Sequence, residues 1–437
     1  MSKIKNGIDS GEKMTPYHWA VIIIASLGWL FDCMDQRLFA LSRESAMQDL
    51  LGIDAVDSAV KKALTTATTI MILGWATGGI IFGMMSDRVG RVKSMAVTLL
   101  LYSVFTGLSG LAQGITDFMV YRFLVGLGVG GMFGSATTIV AESLPSKFRA
   151  PALGALQTLA ALGNMMGSGV TLLIPPSAEV GLFGYEGWRS LFFIGIIPSL
   201  LVVPMMLFLK EPKVWVEMKN ARGKGDLPTD KTGPIELFRD PRWRKNAVVG
   251  LFLGVAGMVG LWGIGFFSPE LISEALKGEP KAEVDKVRGY GTMLQDVGAF
   301  LGMGAFTVVA TMYGRRPAFF WSLVLSLVVT IFVFNNLNSA QDAYWMLPLM
   351  GFAQLSLFAG YSIYFPELFP TRLRGSGVGF CYNSVRYIAA PAPILLAYLS
   401  TTLSFRTAAS VMSLIYLVGI VALIWAPETK GKPLPEE

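Results

Sequence analysis

The chain carries one spaced pattern twice, and each copy lies between two long apolar runs. The first copy reads Glu142-Ser143-Leu144-Pro145-Ser146-Lys147-Phe148-Arg149, with Gly154 following. The second reads Glu367-Leu368-Phe369-Pro370-Thr371-Arg372-Leu373-Arg374, with Gly379 following. The spacing E-x-x-P-x-x-x-R-x-x-x-x-G is kept at an offset of 225 positions, from 142 to 367. An internal duplication set among membrane-length apolar runs demands two similar halves packed against each other. That is the build of carriers whose halves rock about a central site.

Composition agrees with a membrane location. Of 437 residues, 53% are hydrophobic and 15% charged, and the mean hydropathy is +0.54. A soluble chain of this length needs a charged surface that this one lacks. Its apolar runs reach the roughly 20 residues that span a bilayer. The expectation is an all-α membrane protein with twelve transmembrane helices, at approximately 18–41, 64–86, 94–113, 116–141, 150–174, 189–210, 246–268, 289–312, 317–335, 343–366, 375–400 and 406–426. The polar stretch from Lys210 to Lys245, rich in Lys, Arg and Pro, separates the sixth run from the seventh. The expected organisation is a six-helix half over 1–210, a cytoplasmic linker over 211–245 and a second six-helix half over 246–437.

The net charge of +6 is not a nucleic-acid signature, because the cations concentrate in short loops between spans. Loop 2–3 carries Arg88, Arg91 and Lys93; loop 4–5 Lys147 and Arg149; loop 8–9 Arg315 and Arg316; loop 10–11 Arg372 and Arg374. Loops 3–4 and 9–10 carry none. The positive-inside rule then puts both termini and the linker in the cytoplasm. The first run is too long for a signal peptide and lacks a small-residue cleavage site, so it is expected to stay as the first span. Cys33 and Cys381 both fall in apolar runs and read as packing residues.

Ionisable residues inside a membrane are costly, so each is a functional candidate. Asp32 and Asp35 share one face of the first span. Asp35 lies about six residues, or roughly 9 Å, below its outer end, and Arg122 lies at a similar depth in the inward-running fourth span. This depth match predicts an ion pair of Arg122 with Asp35 or Asp32. A carboxylate whose partner changes between states takes up and releases a proton. Asp32, Asp35 and Arg122 are therefore the expected proton-coupling residues; the plainer alternative is a static pair that fixes packing. Arg386 lies about eleven residues, or roughly 16 Å, into the eleventh span, near the midplane where carriers bind substrate. Asn383 and Tyr382 share its face. A buried guanidinium needs an anion, and its fork suits a carboxylate. The anion is either the substrate or Asp296 in the eighth span. Gln157, Asn164, Trp262, Gln295, Gln354 and Tyr361 are further candidates for hydrogen bonding or stacking with substrate, though any polar group in a bilayer also seeks a structural partner.

Two features are set aside. Gly126-Leu127-Gly128-Val129-Gly130-Gly131 looks like a dinucleotide loop, but it lies within an apolar span with no preceding strand and reads as a packing face. The single histidine, His18, sits at the inner start of the first span, so no metal site or Ser/His/Asp constellation can be assembled. No cofactor and no enzymatic activity are expected.

Several segments resemble signatures of the major facilitator superfamily. Gly83-Met84-Met85-Ser86-Asp87-Arg88-Val89-Gly90-Arg91-Val92-Lys93 resembles its loop 2–3 signature, and Gly314-Arg315-Arg316 a degenerate second copy in which Tyr313 replaces part of the acidic half. Lys210-Glu211-Pro212-Lys213-Val214-Trp215 and Pro427-Glu428-Thr429-Lys430-Gly431 resemble sugar-porter-type motifs. Asp32-Cys33-Met34-Asp35 is similar to the D-x-x-D of proton-coupled aromatic-acid and sialic-acid-type symporters. The seventh span lacks the paired glutamines and asparagine with which sugar porters hold a hexose. The resemblance implies an intracellular charge network that gates the inner face: Asp87, Arg91, Glu142 and Arg149 in one half, Glu367, Arg374 and Glu428 in the other. Together these readings imply a twelve-helix, proton-coupled symporter of a small organic anion, working as a monomer in the lipid bilayer. A sugar or polyol carrier and a non-transporting receptor on the same fold are the alternatives. The short loop between spans one and two favours a bacterial inner membrane over the animal organic-ion carriers.

Overall fold

The computed structural model describes residues 13–52, 57–176, 178–223 and 234–435. Ten helical stretches among them are long and apolar enough to cross a membrane. The helix Ser146–Leu173 and the interrupted helical stretch from Arg374 to Thr402 bring the bundle to twelve spans. In order the spans are Pro16–Leu51, Asp57–Val89, Arg91–Ser109, Ile115–Ser143, Ser146–Leu173 and Gly187–Phe208, then Pro241–Gly263 with its extension to Ala275, Lys281–Met312, Arg315–Asn336, Ala340–Glu367, Arg374 to Thr402 and Phe405–Ala422. In the linker, short helices cover Lys213–Gly223 and Pro234–Arg239, and 224–233 lies outside the described residues.

Local chemistry sets where several spans begin. Thr15 caps the first: its hydroxyl accepts from the His18 N–H, and its own N–H donates to His18 Nδ1 across the same turn. Asp240 and Ser339 cap the seventh and tenth through the side chain alone, accepting from the N–H groups of Arg242 and Asp342. The third and ninth use a larger device, repeated in both halves. Gly90 and Gly314 enter them at φ +130° and +117°, a region that suits glycine. The Glu211 carboxylate then accepts from the N–H groups of Arg91, Val92 and Lys93, and the Glu428 carboxylate from those of Arg315 and Arg316. A carboxylate against a helix N-terminus is favourable both as a cap and against the helix dipole.

The glycine run of the fourth span is a packing face. A Cβ on Gly130 would lie 2.1 Å from the Trp75 carbonyl oxygen, and one on Gly126 2.2 Å from that of Met71. The second and fourth spans thus touch backbone to backbone, as small residues allow. Four spans are less regular than uniform helices would be; the seventh breaks at 264–267 and the twelfth at 413–414. The sixth passes through a 3-10 stretch at Ile197–Leu201, where Pro198 removes an N–H from the ladder. The eleventh carries a π-helical turn at Phe380–Ser384, one residue before the helix that bears Arg386. Such turns are frequent at functional sites.

Candidate functional site

At the end of the bundle that carries both termini, here called inner, the two halves are joined by a buried charge network. Arg91 grips Glu142 with its fork, Nε and Nη2 donating at 2.9 Å each. Arg374, from the other half, donates to the same carboxylate. Asp87 accepts from Arg91 at 3.1 Å and, across the halves, from the N–H groups of Gly375 and Ser376 at 2.9 and 2.8 Å and from the Ser376 hydroxyl. Arg91, Glu142, Asp87 and Arg374 are all buried. The second half repeats the fork: Arg315 donates to Glu367 through Nε and Nη2 at 3.0 and 2.8 Å. It does not repeat the crossing. Asp87 is matched by Thr311, which bonds back to Thr307 in its own helix. Arg149 matches Arg374 and is within coulombic reach of Glu367 across the halves, but it makes no contact ion pair among the described residues, and its Nε is buried without a hydrogen-bond partner.

Glu428 stands apart from the other gating candidates, because it works within its own half. Burial pushes its carboxyl up, but the N–H groups of Arg315, Arg316, Lys430 and Thr429 outweigh that and hold it below the usual carboxylate range.

Near the middle of the bundle, Arg386 is enclosed by rings. Its guanidinium carbon lies 3.8 Å from the centroid of Trp75 and 4.7 Å from that of Tyr382. Nη1 donates to the Tyr382 carbonyl at 2.6 Å and to Asn383 Oδ1 at 2.8 Å, while Nε is buried with no partner. The π turn brings both acceptors onto one nitrogen. Asn383 also donates to the Gly130 carbonyl at 3.3 Å, so the site straddles the halves. Tyr382 stacks on Phe133 at 3.7 Å and meets Trp29 and Tyr361 edge-on, and Trp262 meets Trp75 edge-on. Two rings thus cover Arg386 directly, and four more, from the first, fourth, seventh and tenth spans, pack against those two.

The two aspartates divide between two arginines. Asp32 is within coulombic reach of Arg386, and Asp35 of Arg122. Asp32 accepts from Gln36 at 3.3 Å, and its Oδ1 and both Asp35 oxygens are buried without hydrogen-bond partners. Thr106 lies beside Asp35 without meeting hydrogen-bond geometry. The contact pair expected of Arg122 does not form: Ser109 takes its Nε and Nη2 at 3.2 and 2.6 Å, and the rings of Phe39, Phe118 and Phe192 surround its guanidinium. Cation–π contacts in a desolvated site replace the carboxylate as its partner.

The alternative pairing of Arg386 with Asp296 is overturned, because Asp296 is taken by Arg37 at 2.6 Å. This pair joins the first span to the eighth, hence one half to the other, in the outer part of the bundle. The halves are therefore clasped at both ends. Arg37 was missed at the sequence level, although a charge inside the first apolar run is the signal that exposes it. Both partners keep some exposure, 25% and 17%, so the pair is worth on the order of 1 kcal/mol. Asp296→Asn is expected to shift the outer end towards the open state by about fivefold. Spin-label distances between Gln48 and Lys277 should lengthen in that variant; an unchanged distribution would show that the pair does not hold the outer end shut.

The remaining candidates differ in how free they are. Tyr361 spends its hydroxyl on the Leu253 carbonyl at 2.8 Å. Gln295 accepts from Ser268, and Gln354 donates to Thr330 but leaves its Oε1 unpartnered. Gln157 is buried with a free Oε1, and Asn164 is half-buried. Cys33 and Cys381 are buried free thiols.

Comparison with known proteins bears on what such a site serves. A family model described as "Sugar (and other) transporter" matches residues 13–226 and 236–436. A cis,cis-muconate transport protein of Acinetobacter baylyi is 28% identical over 95% of this chain and 96% of its own. A sialic acid transporter of Escherichia coli is 29% identical over 93% and 95%. Among solved structures, a proton:xylose symporter shares the fold with a TM-score of 0.77 at 18% identity, over 96% of this chain and 98% of its own.

Proposed function

The chain belongs to the sugar (and other) transporter family of multi-pass membrane carriers, and from that membership we propose that it moves a small, planar organic carboxylate together with a proton. The observation that carries this reading is Arg386: a buried guanidinium between the halves, stacked on Trp75, with one N–H edge unpaired and no carboxylate in contact among the described residues. A buried cation of that kind calls for an anion, and an aromatic surround favours a flat, unsaturated or aromatic one. The two curated relatives named above are carriers of acids, which supports the same class.

In this reading the substrate carboxylate takes the free Nε edge of Arg386 while its plane rests among Trp29, Phe133, Trp75 and Tyr382. Asp32 offsets the charge of Arg386 in the empty carrier. When the substrate carboxylate takes over that task, Asp32 accepts a proton, and the two cross together. Asp35 and Arg122 form a second, more outward coupled pair. Alternating access follows from making and breaking the Glu142–Arg374 contact at the inner end and the Arg37–Asp296 pair at the outer end. The carrier works as a monomer in the cell membrane of a bacterium, with both termini cytoplasmic. Binding uses Arg386, Asn383, Tyr382, Gln157, Asn164 and Trp262; Gln295, Gln354 and Tyr361 support it from within the second half.

The test is uptake into proteoliposomes under an imposed pH gradient, with aromatic and unsaturated acids set against neutral analogues of equal shape. Acids alone should accumulate. Asp32→Asn and Asp35→Asn should each abolish pH-driven accumulation while sparing substrate exchange. Normal accumulation in both variants would remove the coupling role, and accumulation of the neutral analogues would return the site to a sugar or polyol.

A further inference from the structure

A groove of about 730 Å³ opens between the seventh and twelfth spans at the inner end of the bundle. Its walls are apolar: Val248 and Phe252 from the seventh span and Val421 and Trp425 from the twelfth, all between 36% and 55% exposed. Arg244 and Lys245 complete the lining at the level where the seventh span begins. Both are exposed, and neither has an ion pair or a side-chain hydrogen bond among the described residues. Their neighbours are engaged: Arg242 is held by Asp240 at 2.8 Å, and Arg239 lies against Glu236. Two free cations thus stand over an apolar slot that faces the membrane, with an indole at the rim.

We propose that this groove binds one anionic phospholipid of the leaflet on the side of the termini, its phosphate on Arg244 and Lys245 and an acyl chain between Phe252 and Val421. Charge complementarity chooses the occupant. Basic pockets between membrane helices attract anionic headgroups, each cation near the surface contributing about 1 kcal/mol. A zwitterionic headgroup would bring its own ammonium against two cations. A soluble phosphate would leave the apolar walls unfilled, and those walls contribute through the hydrophobic effect. Trp425 sits where tryptophan is enriched, at the boundary between acyl chains and headgroups. The site lies on the lipid-facing surface, away from Arg386, and does not depend on which substrate is carried.

The experiment is native mass spectrometry of the full chain in detergent after delipidation, titrated with phosphatidylglycerol and with phosphatidylcholine of identical acyl chains. The expected result is retention of one phosphatidylglycerol on the order of tenfold tighter than phosphatidylcholine. Arg244→Ala with Lys245→Ala should abolish the difference. Val421→Trp, which keeps both cations and fills the slot, should weaken both lipids. Inorganic phosphate should leave the melting temperature unchanged at concentrations where phosphatidylglycerol raises it. Equal retention of the two lipids, an undiminished preference in the double variant, or an equal thermal shift with inorganic phosphate would each overturn the proposal.

Discussion

Arg386→Lys is expected to lower affinity for the proposed carboxylate substrate by about a hundredfold while the protein still folds. Losing one partner of a buried, hydrogen-bonded charge pair costs 2–5 kcal/mol, which spans that factor. Charge alone cannot rescue the site, because three features depend on a planar fork. Nη1 reaches the Tyr382 carbonyl and Asn383 at once, Nε presents a free edge, and the flat face lies 3.8 Å from the Trp75 centroid. A lysine ammonium is a compact, strongly hydrated point charge that cannot do all three. Thermal shift in detergent reads the effect directly, since a ligand that binds only the folded state raises the melting temperature with its affinity. The unliganded melting temperature should change little and the shift on adding acid should vanish. Wild-type affinity in this variant would make Arg386 a structural residue.

Glu142→Gln should unlock the inner end. Glu142 serves Arg91 and, across the halves, Arg374, and it is 2% exposed. A neutral amide in its place leaves two buried guanidinium groups with Asp87 as their nearest acid, a loss of roughly 3–5 kcal/mol from the closed state. Spin labels at Lys147 and Tyr313 should then report a longer inner separation. Glu367→Gln is the control. Its carboxylate hydrogen-bonds Arg315 and Thr429 within one half and reaches Arg149 of the other half only through space, so that variant should lose thermal stability with a much smaller change in separation. Equal responses from the two variants would show that the inner end is not held by the crossing contact.

The bilayer made most of this architecture readable in advance. Runs of membrane length separated by charged loops leave few other folds, and ten of the twelve spans are long and apolar enough to be read from hydropathy alone. Arg386, Asn383 and Tyr382 were found together because i, i+3 and i, i+4 neighbours on a helix must meet. What resisted reading was long-range. The first-span residue Arg37 meets Asp296 through the packing of the halves, which no local spacing encodes. Trp75 and Phe133 carry no local signal that sets them apart from other aromatics in apolar runs; the fold brings them to Arg386 and Tyr382. The π turn at 380–384 has no periodic signature, and it re-aims the acceptors around the guanidinium. The inner network was only half legible. The duplicated pattern places Glu367 and Arg149 where Glu142 and Arg374 stand, but the second pair makes no contact ion pair among the described residues, and Thr311 stands where Asp87 would recur.

The indole of Trp75 bears on what the resting carrier does with ions it is not meant to move. An uncovered guanidinium in the middle of a membrane protein would be a well for any small anion, chloride included. With its face against an indole and Nη1 donating two hydrogen bonds, Arg386 offers a small spherical anion a single N–H edge and no aromatic stacking in return. A flat acid gains both the edge and the rings. For the proposed planar acid, the ring that covers the guanidinium would then act as a filter, rewarding a flat anion and giving a spherical one nothing to stack on.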